Sequence, residues 1–183
     1  IKSEERLIYS GYIQESCKSL VNMIDEIIEI ARIESNQMNT QKVRCNVTDT
    51  LKTVYNHFVD FPDRKISKAV NFSISPSTFE NDVYIETDPV LLKQVLINLL
   101  DNAIKFTPSG FIEFGFEVHK TELLFYVKDT GIGIPEEESE MIFDNFSKIQ
   151  QNERKLYRGM GLGLALSKKI LDLLAGKIWV NSV

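Results

Sequence analysis

Between residues 3 and 35 the chain carries no proline and one glycine, Gly11, and Ile13, Cys17, Leu20, Ile24, Ile27 and Ala31 recur at spacings of four, three, four, three and four. An apolar residue at every 3.5 positions marks a helix whose seam must be covered by other helices. A second stripe, Val21 and Ile28 with Met23 and Ile30 nearby, widens the apolar face beyond what a two-stranded coil uses, so a helical bundle is the expected setting. The competing reading is an ordinary helix packed on its own domain. The sustained period and the polar break SNQMNT, residues 35 to 40, favour a separate element.

Beyond residue 40 the pattern becomes mixed. A short strand near KVRCNV is followed by a helix over TDTLKTVYNHF, with Asn46 placed to cap it, and by strands near VNFSIS and DVYIE. Asp88 is placed to cap a helix that starts at Pro89 and is stopped by Thr107-Pro108. FIEFGFEV and LLFYVK read as a hairpin turning through His119 to Thr121. Residues 135 to 158 are polar and irregular, GLGLALSKKILDLLAG reads as a glycine loop feeding a helix that ends at Gly176, and KIWVNSV reads as a last strand.

With 183 residues, 43% of them hydrophobic, the chain can bury one sizeable core with a short appended element. The 21 basic and 26 acidic residues leave a net charge of −5, which argues against an extended nucleic-acid surface. Two cysteines, Cys17 and Cys45, and two histidines, His57 and His119, form neither a disulfide framework nor a metal cluster, so a reducing compartment is expected. No run approaches the roughly 20 apolar residues of a membrane span, and IKSEERLIYS lacks a signal peptide's apolar stretch. The abrupt ends suggest a portion of something anchored elsewhere.

Chemistry concentrates in three places. On the helix from 89 to 106, Leu92, Val95, Leu96, Leu99, Leu100 and Ala103 form the apolar side, while Asn98, Asn102 and Lys105 share another line. That line is either a solvated face or a site where an amide oxygen helps hold Mg²⁺ and an ammonium meets phosphate oxygens. In KDTGIGIP, Asp129 ends a strand and offers a carboxylate to an exocyclic amine, with Gly131 and Gly133 letting the backbone approach a flat ring; the plainer alternative is a hairpin loop in which Asp129 bonds its own backbone. Gly159, Gly161 and Gly163 stand just before a helix, whose first amides suit phosphate. Between the glycine clusters, Lys148, Arg154, Lys155 and Arg158 against Glu153 suit a lid over phosphates, which Phe143 and Phe146 would pin to the core.

Taken in order, NLLDNAIKF, DTGIGIP, IFDNFSKI, GMGLGLALS and AGKIWVNS resemble the N, G1, F, G2 and beginning of the G3 boxes of the sensor histidine kinases of two-component systems, within the GHKL ATPase superfamily. The likeness covers residues 39–183 as a catalytic ATP-binding domain, and SLVNMIDEIIEIARIES resembles the second helix of the family's dimerisation and phosphoacceptor hairpin, which residues 1–38 would form. The resemblance implies a Bergerat-type two-layer α/β sandwich with a mixed sheet, preceded by the long helix. It implies ATP and Mg²⁺ as cofactors, with Asn102 on the metal, Asn98 and Lys105 lining the phosphate side and Asp129 on the adenine amine. Gly131, Gly133 and Ile134 of one motif, and Gly159, Gly161, Leu162 and Gly163 of the other, would line the nucleotide.

The implied activity is transfer of the ATP γ-phosphoryl to a histidine, with relay to an aspartate of a response-regulator receiver domain. The implied setting is a homodimer in the cytoplasmic portion of a sensor, with membrane anchoring of the full protein left open. Hydrolytic relatives carry a water-activating glutamate where this chain has Asn98. His57 is followed by Phe58-Val59 and His119 by Lys120-Thr121, so neither fits the phosphoacceptor motif, and autophosphorylation by this piece alone is not expected. Met160 and Asn145 replace the family's usual small hydroxyl residue and proline, and the chain stops where a further strand is usual. The alternatives are a GHKL ATPase that drives conformational change and a dimerisation scaffold without kinase activity.

Overall fold

The structure, a computed structural model, describes residues 3–60, 66–120, 122–144 and 161–182. The proline-free opening is one helix, α1 (Ser3–Glu34). It closes as Asn36 takes a left-handed φ of 54° and the amides of Asn36 and Gln37 turn back to the carbonyls of Ile33 and Arg32. Asparagine tolerates that conformation better than most residues.

The seam read from the sequence has no cover among the described residues: Ile13 is 64% exposed, Leu20 54% and Ile24 55%. A different stripe, Met23, Ile30 and Ile33, packs the last turns of α1 on the rest of the chain. The helix thus has two apolar faces, of which one packs on the rest of the chain and the other is exposed.

The mixed segment forms β1 (Val43–Asn46), α2 (Val47–Val59), β2 (Val70–Ile74), β3 (Tyr84–Thr87), α3 (Pro89–Phe106), β4 (Gly110–Val118), β5 (Leu123–Asp129) and α4 (Gly163–Leu173). β4 is the centre of a mixed sheet, parallel to β2 and antiparallel to β5, while β1 and β3 form a separate antiparallel pair. The period of two along β4 sends Ile112, Phe114 and Phe116 into the core, where they meet Leu51, Val54 and Phe58 of α2 and Leu92, Leu96 and Leu100 of α3. These are the two layers of the expected sandwich.

α3 is buried on two sides. Its neighbouring stripe, Leu91 and Val95 with half-buried Leu99, faces a second core made with Ile30 and Ile33 of α1, Leu162 just before α4, and Leu166 and Ile170 of α4. Its start is fixed by Asp88, whose Oδ1 accepts from the Val90 and Leu91 amides at 3.0 and 3.2 Å while Oδ2 accepts from the Gln41 amide at 2.8 Å. Burial would push this carboxyl up, but the three amides outweigh it and hold the group below its ordinary value.

At the junction with α1, Gln94 donates to Glu29, and Lys169 of α4 pairs with Glu34 at 2.7 Å. Glu26 lies at the same junction, and burial, with Glu29 and Asp101 alongside, pushes its carboxyl up.

Two expectations need correction. α4 ends at Leu173, and the left-handed residue of its closing turn is Ala175 with φ 60°, not Gly176. The Gly176 amide reaches the Leu171 carbonyl at 2.8 Å, and a Cβ there would come within 3.1 Å of Leu171 Cδ2, a close approach that glycine avoids one place later. KIWVNSV is not a strand among the described residues: Ile178 and Val180 alternate with exposed Lys177 and Trp179, but no ladder pairs them. Alternation fixes a strand's faces, whereas a strand also needs a hydrogen-bonded neighbour.

Candidate functional site

α3 carries the site on the side its two cores leave open. Asn98, Asn102 and Lys105 are each half-buried along that side. Asn98 Nδ2 donates to the Gly163 carbonyl at 3.2 Å and lies 3.4 Å from Ser167 Oγ, so the middle of α3 is fastened to the first turn of α4. Ser167, fully buried, donates to the same carbonyl at 2.8 Å. One turn further along, the Asn102 side chain has no hydrogen-bond partner among the described residues. Lys105 follows, its Nζ 4.5 Å from the centre of the Phe106 ring.

α4 begins at Gly163 with no side-chain cap. The first amides of a helix lack intrahelical acceptors and carry the positive end of its dipole, so this terminus is suited to an anion. Gly161 enters it with a left-handed φ of 71°, which favours glycine. Leu162 is 2% exposed in the second core, so its side chain serves packing and only its backbone is left for a ligand.

The C-terminal end of α3 is fastened to the loop after β5. Pro108 disfavours helix for the residue before it, and Thr107 leaves the helix at φ −111° and ψ 91°. Asp129 Oδ1 then accepts from the Gly131 amide at 2.8 Å and from Thr107 Oγ1 at 3.3 Å, while the Ile132 amide donates to the Phe106 carbonyl at 3.2 Å. Asp129 is exposed, and its Oδ2 has no partner among the described residues. The two readings of Asp129 are thus compatible: one oxygen closes the turn and the other is left without a protein partner among the described residues.

Gly131 has a reason beyond an approaching ring. A Cβ there would lie 2.6 Å from the Phe106 carbonyl, 2.7 Å from Asp129 Oδ1 and 3.0 Å from Thr107 Oγ1. Gly133 has φ 71°, and the Ile134 amide donates to Ser182 Oγ at 2.8 Å, which holds the loop to the end of the chain.

Between Asn98 and Phe106 the helix rises about 12 Å. A phosphate-suited helix terminus stands beside one end of this stretch and an exposed carboxylate beside the other, with Asn102 and Lys105 between them. Thr107, Ser167 and Thr130 support the arrangement and were not singled out from sequence. Thr130 Oγ1 accepts from the Phe111 amide at 2.9 Å. Of the lid, Ile142 is buried and Phe143 half-buried; Gly159, Met160, Asn145, Phe146 and the four lid cations lie outside the described residues.

This disposition places a candidate anion-suited site on an α/β sandwich. Residues 87–183 match the family described as histidine kinase-, DNA gyrase B-, and HSP90-like ATPase, and the chain belongs to that family. Within it the likeness is to sensor histidine kinases. The autoinducer 2 sensor kinase/phosphatase LuxQ of Vibrio vulnificus strain CMCP6 is 34% identical over 190 residues, covering 100% of this chain and 22% of that protein. The catalytic domain of histidine kinase ThkA superposes with a TM-score of 0.63 at 33% identity, over 76% of this chain and 86% of that one. ThkA in complex with response regulator protein TrrA gives 0.75 at 28% identity, over 98% of this chain and 48% of that one. The chain thus spans about a fifth of the length of LuxQ.

Proposed function

We propose that this chain is the ATP-binding catalytic portion of a two-component sensor histidine kinase. On this reading, residues 39–183 bind ATP, residues 1–38 are the second helix of the dimerisation and phosphoacceptor hairpin, and the γ-phosphoryl passes to a histidine on the other helix of that hairpin. Asp129 Oδ2 accepts from the adenine amine, Gly131, Gly133 and Ile134 line the base, and Gly159, Gly161, Gly163 and the backbone of Leu162 lie beside the phosphates. Asn98 and Lys105 line the phosphate side.

The residues fit Mg²⁺ held mainly by phosphates and water. The Asn102 amide oxygen is a hard ligand with no competing partner among the described residues, and these contain no cluster of three or more acidic, histidine or cysteine side chains able to cage a metal. When bound, the ion supplies charge neutralisation at the phosphate oxygens. The chain's own work is to hold the nucleotide in line with an incoming imidazole, whose neutral ring already has a lone pair.

The observation that carries transfer over hydrolysis is the side chain facing the first turn of α4. It is an amide that donates to Gly163, and an amide cannot take a proton from water as a carboxylate does. The exposed seam of α1 suits the homodimer such hairpins form, and ThkA's complex with TrrA supports a receiver domain as the onward acceptor. No helix of the described residues is long and apolar enough to cross a membrane, and placement in the cytoplasmic portion of a sensor belongs to the same proposal.

The test is incubation of the chain with γ-labelled ATP, Mg²⁺ and a polypeptide carrying the family's histidine helix. Acid-labile, base-stable label on that helix is expected. Release of inorganic phosphate with no labelled histidine would favour the ATPase reading.

A further inference from the structure

Thr107 lies outside every motif residue assigned to the nucleotide, yet it touches the one group that would read the base. We infer that Thr107 is a positioning residue for base recognition, setting through Asp129 the discrimination between a purine with a 6-amino group and one without; this rests on the nucleotide-binding reading above.

The side chain is 1% exposed, so its hydroxyl is withdrawn from water and needs a partner inside the protein. The partner is Asp129 Oδ1, 22 residues away in sequence and 3.3 Å away in space. The Gly131 amide donates to that same oxygen at 2.8 Å. Two donors on one oxygen stop the exposed carboxylate from rotating its oxygens between inward and outward positions, which leaves Oδ2 as a fixed acceptor. A carboxylate free to rotate would spend part of its time with neither oxygen well placed, and binding would carry the cost of ordering it.

The geometry follows from Pro108, which takes Thr107 out of the helix at the point where the chain passes β5. The Phe106 carbonyl, accepting from Ile132, anchors the backbone immediately before the hydroxyl. Thr107 is thus held from both sides, and the hydroxyl is the part of it that acts on Asp129.

The experiment is calorimetric titration of this chain with ATP and with purine riboside triphosphate, which lacks the 6-amino group. Wild type, Thr107→Val, Thr107→Ala and Thr107→Ser are compared, with melting curves on each. Thr107→Val and Thr107→Ala remove the hydroxyl at two different volumes and are expected to weaken ATP about fivefold while leaving the second nucleotide within about twofold. Thr107→Ser keeps the hydroxyl and retains wild-type discrimination.

A folded variant without the hydroxyl that still discriminates as wild type does would overturn the inference, as would parallel weakening of both nucleotides or loss of discrimination in Thr107→Ser. Wild type that binds neither nucleotide overturns the nucleotide reading and this inference together, whereas wild type that binds both alike leaves nucleotide binding standing and overturns the amine-reading role of Asp129 and with it this inference. Wild type that discriminates alongside a Thr107→Val that does so equally well overturns this inference alone.

Discussion

Gly131 and Gly163 both belong to the glycine motifs of the proposed nucleotide site, and the structure assigns them opposite tolerance for alanine. A Cβ at 131 meets the Phe106 carbonyl, Asp129 Oδ1 and Thr107 Oγ1 at 2.6, 2.7 and 3.0 Å. The carbonyl is fixed by α3 and by the Ile132 amide, so it cannot swing aside. The carboxylate can, but only by giving up the Gly131 and Thr107 donors, and a hydrogen bond to a charged group contributes about 1.5–3 kcal/mol. Overpacking by one methyl costs about 1–3 kcal/mol. Whichever route the chain takes, Gly131→Ala is expected to lose about 2 kcal/mol, a fall in Tm of about 4–8 °C for a chain of this size.

At Gly163 the nearest foreign atom to a new Cβ is an Asn98 carbon at 3.8 Å, an ordinary contact, and the position opens a helix. Gly163→Ala therefore keeps or gains stability, by up to about 1 kcal/mol from helix propensity. The assay is urea and thermal unfolding of both variants without nucleotide. Wild-type stability for Gly131→Ala would refute the reasoning, because the contacts would then be relieved at no cost, and equal losses at the two positions would refute it too, because local contact would not distinguish them.

Asp88→Ala removes an acceptor from three amides and is expected to destabilise the chain by about 2 kcal/mol in urea titrations at neutral pH. Since the folded carboxyl lies below its ordinary value, its contribution is present above about pH 4 and is lost as pH falls through the folded value, so the variant's stability curve flattens on that acid limb. Ala175→Gly relieves a left-handed alanine at the close of α4 and should raise stability by about 1 kcal/mol in the same titrations; a loss would mean that the methyl contributes packing.

α3 was legible because its signals are local. Asp88-Pro89 opens it, Thr107-Pro108 stops it, and the amide line at 98, 102 and 105 is a matter of helical spacing. Individual strands were legible from runs such as FIEFGFEV whose period of two survives burial, while the mixed sheet they join was implied by the family resemblance alone. What sequence could not show is contact between distant segments. Asp129 and Thr107 are 22 positions apart, and the role of Gly131 depends on where the Phe106 carbonyl comes to lie.

The misread end of α4 has a similar origin. Gly176 looked like the end of the helix, but α4 stops at Leu173 and the chain turns through Ala175 with a left-handed φ. In α1 the strongest period marked the face left exposed, while Ile30 and Ile33 pack against α3 and α4. A heptad pattern shows that a face needs cover without saying what covers it.

The central claim is tested most directly by calorimetric titration of the chain with ATP, with and without Mg²⁺, using GTP as control and Asn102→Ala as comparison. The account predicts ATP-selective binding that strengthens about tenfold or more with Mg²⁺ and loses that gain in the variant, as removal of a single metal ligand requires. Folded wild-type protein that binds no nucleotide, or that gains as much from Mg²⁺ without the Asn102 amide as with it, would contradict it.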